Sequence, residues 1–150
     1  PDIITLAKGL GGGLPIGAFL CNEKMSEVLK PGDHGSTYGG NPLVCAAASE
    51  VLTQVTKDGF IKEVKEKGDY IKDTILGWHC ENIVEVRGRG LMIGIQMMGI
   101  ISAVQHQAIE KGLLLLSAGG NTLRLLPPLT ISYDEIDQGL KILKDILTEV

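Results

Sequence analysis

Lys8 closes a short apolar run, Ile3 to Ala7, and glycines follow at positions 9, 11, 12, 13 and 17. A free lysine amine has a pKa of about 10.4 and is a poor nucleophile near neutrality. Removal from water favours its neutral, reactive form. The end of a buried strand supplies such a setting, and in α/β sheets ligands bind beyond strand ends. The same position also suits a lysine whose stem covers apolar surface while its amine reaches water, and placement alone leaves both open. The glycines invite a phosphate-loop reading, but two facts oppose it. Lys8 precedes them, so the order G-x-x-x-x-G-K-[ST] is absent. Pro15 and a second apolar run stand where the helix after G-x-G-x-x-G would begin. Room for a bulky group beside the lysine is the simpler purpose.

Two further places carry usable chemistry. The run His34-Gly35-Ser36-Thr37-Tyr38-Gly39-Gly40-Asn41 offers hydroxyls and accessible backbone N–H groups just before a helix, a good setting for an anion. Ser36 and Thr37 suit a phosphate, although the same residue types also make turns and caps. Arg124 lies among apolar residues in "TLRLLPPL". Its planar fork matches a carboxylate, either a ligand's or that of a structural ion pair.

The elements that must position these residues follow from periodicity. Ile3 to Ala7 is expected to be a short buried strand, 9–13 a loop, Pro15 to Cys21 a second strand, and Glu23 to Leu29 a short helix ended by Pro31-Gly32. Asn41-Pro42 reads as an N-cap with proline in the first helical position, opening a helix to about Asp58. Phe60 to Leu76 is an amphipathic helix whose Lys and Glu residues form a wet face. Ile83 to Arg87 and Leu91 to Met97 read as strands. Ser102-x-x-Gln105 and Ser132-x-x-Glu135 each match a capping box, opening helices from Ser102 to Lys111 and from Ser132 onward. Between these helices, Leu113 to Leu116 and Leu123 to Leu126 are expected strands around the turn "SAGGN". The organisation divides near residue 58. Residues 1–58 read as the last slice of a larger α/β sheet, and 59–150 as a small α+β domain with a mostly antiparallel sheet.

Composition narrows the class. The 150 residues are 44% hydrophobic and 21% charged, as in globular proteins, with a net charge of −4. That charge opposes a nucleic-acid partner, which needs a basic face. No apolar run approaches a membrane span and no signal peptide is visible. Cys21, Cys45 and Cys80 form no CxxC pair, so neither a disulfide framework nor a metal site is expected, and a cytoplasmic setting fits. A chain opening on Pro1-Asp2-Ile3 and running at once into a strand reads as a piece of a longer protein.

Four stretches, in order, resemble one family. "PDIITLAKGLGGGLPIGA" around Lys8, "HGSTYGGNPLVCAAA" around Thr37, "VRGRGLMIGI" from Val86 to Ile95, and "GLLLLSAGGNTLRLLPPLTIS" around Arg124 are similar to the class III pyridoxal-phosphate-dependent aminotransferases of the aspartate-aminotransferase fold (fold type I). Within them the acetylornithine/ornithine group is closest. The resemblance implies an α/β fold, here the end of the large-domain sheet plus the C-terminal small domain. It implies that Lys8 bonds covalently to pyridoxal 5'-phosphate and then shuttles the proton, that Ser36 and Thr37 bind the cofactor phosphate, Thr37 across a homodimer interface, and that Arg124 holds a substrate carboxylate. The implied reaction moves the side-chain amine of N-acetylornithine, or ornithine, to 2-oxoglutarate in arginine biosynthesis. The alternatives are another ω-aminotransferase, taking ornithine, 4-aminobutyrate or the lysine ε-amine, and a non-catalytic α+β binding module. In this family the stacking aromatic, the aspartate of the pyridine nitrogen and the same-subunit phosphate loop precede the lysine, and those stretches are absent here. The resemblance thus implies that this chain alone is inactive.

Overall fold

The computed structural model describes residues 1–99 and 101–149. The chain forms two compact units, Pro1–Phe60 and Ile61–Val150.

The first unit opens with a two-stranded antiparallel hairpin, β1 (Ile3–Leu6) and β2 (Ala18–Cys21), with Ile3 opposite Cys21 and Leu6 opposite Ala18. A 3-10 turn over Lys8–Gly11 leads out of β1. A one-turn helix, α1 (Glu23–Ser26), follows, its N-cap Asn22 accepting from the Met25 N–H. Helix α2 (Pro42–Val55) begins as its sequence requires: the Asn41 side chain accepts from the Val44 N–H at 3.1 Å, and Pro42 occupies the first turn, where its missing N–H costs nothing. The expected buried strand is corrected here. All four residues of β1 are exposed, as are all four of β2. Apolar sequence marks the strand, but burial depends on neighbouring strands, and among the described residues β1 pairs only with β2.

The second unit is a four-stranded antiparallel sheet in the order β3-β4-β6-β5, accompanied by three helices. Its elements are α3 (Phe60–Leu76), β3 (Ile83–Arg89), β4 (Met92–Met97), α4 (Ile101–Glu110), β5 (Leu116–Ser117), β6 (Thr122–Leu125) and α5 (Tyr133–Glu149). Ile93, Ile95 and Met97 of β4 are buried while Met92 between them and the chain's turn is 59% exposed, the alternation of a sheet with one covered face. Ile71 and Ile75 of α3, Val104 and Ala108 of α4, and Ile136, Leu140, Leu143 and Leu147 of α5 complete that core.

Close approach explains one glycine pair. A Cβ on Gly68 of α3 would lie 2.1 Å from the Gly90 carbonyl oxygen in the β3–β4 turn, so helix and turn meet backbone to backbone. Of the two expected capping boxes, one forms. Glu135 accepts from the Ser132 N–H and hydroxyl, both at 2.8 Å, while the Glu135 N–H donates back to Ser132 Oγ at 3.3 Å. The other does not. Ser102 lies inside α4, which begins at Ile101, and Gln105 donates instead to the Leu115 carbonyl at 3.1 Å.

Candidate active site

Lys8 begins the 3-10 turn directly after β1, with Ala7 fully extended before it. Its own φ is +53°. A non-glycine residue in the left-handed region costs about 1–2 kcal/mol, and such backbone concentrates at functional positions. The side chain is exposed and has no hydrogen-bond or ion-pair partner among the described residues. The glycines after it divide into two kinds. A Cβ on Gly9 or Gly13 would meet nothing within 4 Å, whereas one on Gly11 would touch Ile16 Cγ2 at 3.0 Å and one on Gly12 would touch Val51 Cγ2 at 3.1 Å. Gly9 and Gly13 therefore leave the clearance expected beside the amine. Gly11 and Gly12 instead let the turn pack on its neighbours, Val51 being in α2.

The 33–41 loop is shaped by its own polar groups. Asp33 accepts from the Lys30 N–H at 2.7 Å, Ser36 Oγ accepts from the Gly39 N–H at 2.9 Å, and the Asn41 amide donates to the Tyr38 carbonyl at 3.1 Å. Ser36 is thus engaged in a turn, although its hydroxyl proton stays available. Thr37 is exposed and its hydroxyl has no partner among the described residues. Lys8, Ser36 and Thr37 share the first unit without bonding to one another.

Arg124 belongs to the second unit. It sits in β6 opposite Gly94 of β4 and Leu116 of β5. Its Nε is buried with no hydrogen-bond partner among the described residues, an unsatisfied donor of the kind that calls for an acceptor. The residue lines a cavity of about 450 Å³ whose other walls include Leu113, Leu115, Leu126, Ile131 and Leu140, within the range of about 300–1,000 Å³ usual for small-molecule sites. Arg87, in β3 on the far side of β4 from β6, is a polar residue of the same sheet that residue types alone do not single out. Its Nη1 contacts the Glu85 carboxylate and donates to Gln96 Oε1 at 3.0 Å. Among the described residues no cluster of His, Cys, Asp and Glu could hold a metal ion, and no helix is long and apolar enough to cross a membrane.

The first unit thus carries a strand-end amine on left-handed backbone and a hydroxyl-bearing glycine loop, and the second an arginine with an orphaned donor. The chain belongs to the class-III aminotransferases, whose family model matches residues 1–147. These are pyridoxal-phosphate-dependent transferases, and the fold is the mixed α/β fold of fold type I. An acetylornithine aminotransferase of Caldanaerobacter subterraneus subsp. tengcongensis is 50% identical over 153 residues, a match covering 100% of this chain and 39% of that protein. The solved acetylornithine aminotransferase of Elizabethkingia anophelis superposes with a TM-score of 0.90 at 35% identity, over 100% of this chain and 41% of that one. The ornithine aminotransferase of Toxoplasma gondii, reported with partially occupied pyridoxal phosphate at its active site, gives 0.92 at 32% identity, over 100% of this chain and 37% of its own. The chain thus spans about two fifths of the length of these relatives.

The residues present fit two ends of that cofactor. An unpartnered primary amine at Lys8, with open space at Gly9 and Gly13, suits its aldehyde. The Ser36 and Thr37 hydroxyls, in a loop of glycines, suit its phosphate.

Proposed function

We propose that this chain carries the lysine-bearing end of the large domain, residues 1–58, and the small domain, residues 59–150, of an acetylornithine-type aminotransferase. The whole enzyme moves the side-chain amine of N-acetylornithine to 2-oxoglutarate, a cytoplasmic step of arginine biosynthesis, by a ping-pong route. The 50% identity to an acetylornithine aminotransferase favours this donor over ornithine, 4-aminobutyrate or lysine. The observation that carries the reading is Lys8, held at φ +53° at a strand end with a free amine.

Pyridoxal phosphate, when bound, supplies an aldehyde that accepts the amino group and a ring that spreads the electron pair left on deprotonation. Lys8 holds the cofactor through Nζ. Released as a neutral amine, the same Nζ would take the proton from the amine-bearing carbon of the donor and deliver it to the carbon on the far side of the nitrogen, the one that had been the aldehyde. Thr37, with Ser36 beside it, binds the phosphate, Thr37 doing so for the partner subunit of a homodimer. Arg124 receives a substrate carboxylate on its fork.

Borohydride reduction of the full-length enzyme with pyridoxal phosphate, followed by peptide mapping, tests this. A cofactor adduct on Lys8 is expected, and an unmodified Lys8 would sink the reading. The 150-residue chain alone is expected to bind the cofactor weakly and to show no acetylornithine turnover. Turnover by the purified chain would overturn that expectation.

A further inference from the structure

The turn that begins at Lys8 is closed by Gly12. Its φ is +58°, and its N–H donates to the Gly9 carbonyl at 3.2 Å, while the Leu10 N–H donates to the Ala7 carbonyl at 3.1 Å. Lys8 and Gly9 are exposed and Gly11 is buried, so the turn is gripped at its end and not at the amine. Strained backbone of the kind found at Lys8 persists only where its surroundings over-determine it. Two side chains supply that grip. Ile16 Cγ2 lies 3.0 Å from where a Cβ on Gly11 would stand, and Val51 Cγ2 lies 3.1 Å from where one on Gly12 would. Ile16 belongs to the loop that returns to β2. Val51 belongs to α2, which packs against the turn.

Helix α2 is a firm support because it is fixed elsewhere. At its start Asn41 accepts from the Val44 N–H at 3.1 Å, while its side-chain amide donates to the Tyr38 carbonyl at 3.1 Å. One residue thus ties the helix to the loop that bears Ser36 and Thr37. Val44, Ala48 and Val51 follow at spacings of four and three, one stripe of the helix. The first two are buried and Val51 is half-buried. From Asn41 to Val51 the helix advances about 15 Å, at about 1.5 Å per residue. The amine turn and the hydroxyl loop are therefore attached to separate parts of one helix.

We infer that Val51 is a positioning residue for Lys8, acting through Gly12: it seats the end of the turn on α2 and so holds the amine where it meets an aldehyde. The inference rests on the reading of Lys8 as the cofactor's lysine. Because Val51 and Asn41 are separate attachments, loss of Val51 disturbs the amine and spares the phosphate loop.

The test uses the full-length enzyme stripped of cofactor and follows, by absorbance, its capture of pyridoxal phosphate and of pyridoxal, which lacks the phosphate. In capture Nζ bonds the aldehyde carbon and water leaves; borohydride and peptide mapping then locate the adduct. Val51→Ala should slow capture of both aldehydes roughly tenfold, the scale of a small misplacement of a reacting group, and leave the ratio of their affinities at the parental value. A merely structural role would lower the melting temperature and leave the capture rate of the folded protein unchanged. Gly12→Ala should slow capture further, and adding Val51→Ala to it should restore part of the rate, because the new methyl then has room. The left-handed strain of Gly12→Ala is the same with and without Val51, so the cycle isolates the contact. Where Gly12→Ala does not fold, the capture rate of Val51→Ala decides alone. A parental capture rate in Val51→Ala overturns the inference while an adduct mapped to Lys8 keeps the Lys8 reading. A changed affinity ratio in Val51→Ala, or a double variant no faster than Gly12→Ala, also overturns the inference. An adduct absent from Lys8 in the parent overturns that reading and the inference with it.

Discussion

Among the described residues, Val44 and Ala48 are the buried apolar side chains of Pro1–Phe60, against sixteen in Ile61–Val150. The contrast is not one of composition. Ile3, Ile4, Phe19 and Leu20 in the hairpin are as apolar as Ile93, Ile95 and Leu123, yet the first four are 48–55% exposed and the latter three 0%. What separates them is strand count and cover. Two strands alone are marginal in water, while four strands with helices on one face support a core. In the 150-residue chain by itself the unit with the amine is therefore the loosely held one, and the unit with Arg124 is built around its own interior.

Hydrogen exchange should show the largest difference. Amides of β4 are expected to open only with global unfolding, and those of β1 and β2 to exchange orders of magnitude faster. Equal protection of Ile3–Cys21 and α5 in a monomer would erase the contrast. Core truncation comes next. Ile146→Ala, at a fully buried site in α5, should cost about 2–5 kcal/mol in denaturant melts, while Leu20→Ala, at 54% exposure, should fall within about 0.5 kcal/mol. Gly68→Ala should cost about 1–3 kcal/mol, because its Cβ would meet a backbone carbonyl that cannot swing aside.

Smaller effects sharpen the comparison. Ser132→Ala removes a cap that satisfies the start of α5 and should cost about 1 kcal/mol. It also changes the acid limb. The Ser132 N–H, then its hydroxyl, hold the Glu135 carboxyl below the usual carboxylate range. A group with a lowered folded pKa contributes stability above its unfolded value and loses it as pH falls through the folded one. The melting temperature of the Ser132→Ala variant should therefore fall less steeply below pH 4.5, the ordinary value for this group, than that of the wild type. A parallel decline in both would remove Ser132 as the cause.

Sequence pattern made the second unit readable. Helix α3 spans the expected Phe60–Leu76, since apolar spacing and the preceding Gly59 define it locally. The Ser132–Glu135 box was legible for the same reason. The Ser102–Gln105 box was not, because a motif states only which residues are three apart, and the helix began one residue earlier with Gln105 drawn to Leu115. Burial of β1 was misread because exposure depends on strands that a local window cannot contain. At the candidate site, the lysine, the hydroxyl loop and Arg124 were singled out by residue type, and only the resemblance assigned them roles. The left-handed φ of Lys8 was not legible, since a dihedral angle is set only when the chain folds.

The backbone at Lys8 also offers an experimental handle. Left-handed φ excludes most side chains comfortably but admits asparagine, whose short amide tolerates it. Replacing Lys8 with Asn removes the amine while keeping a residue at home in that conformation. The resulting protein would differ from its parent in reactivity and hardly in shape, which lets chemistry at this position be measured apart from folding.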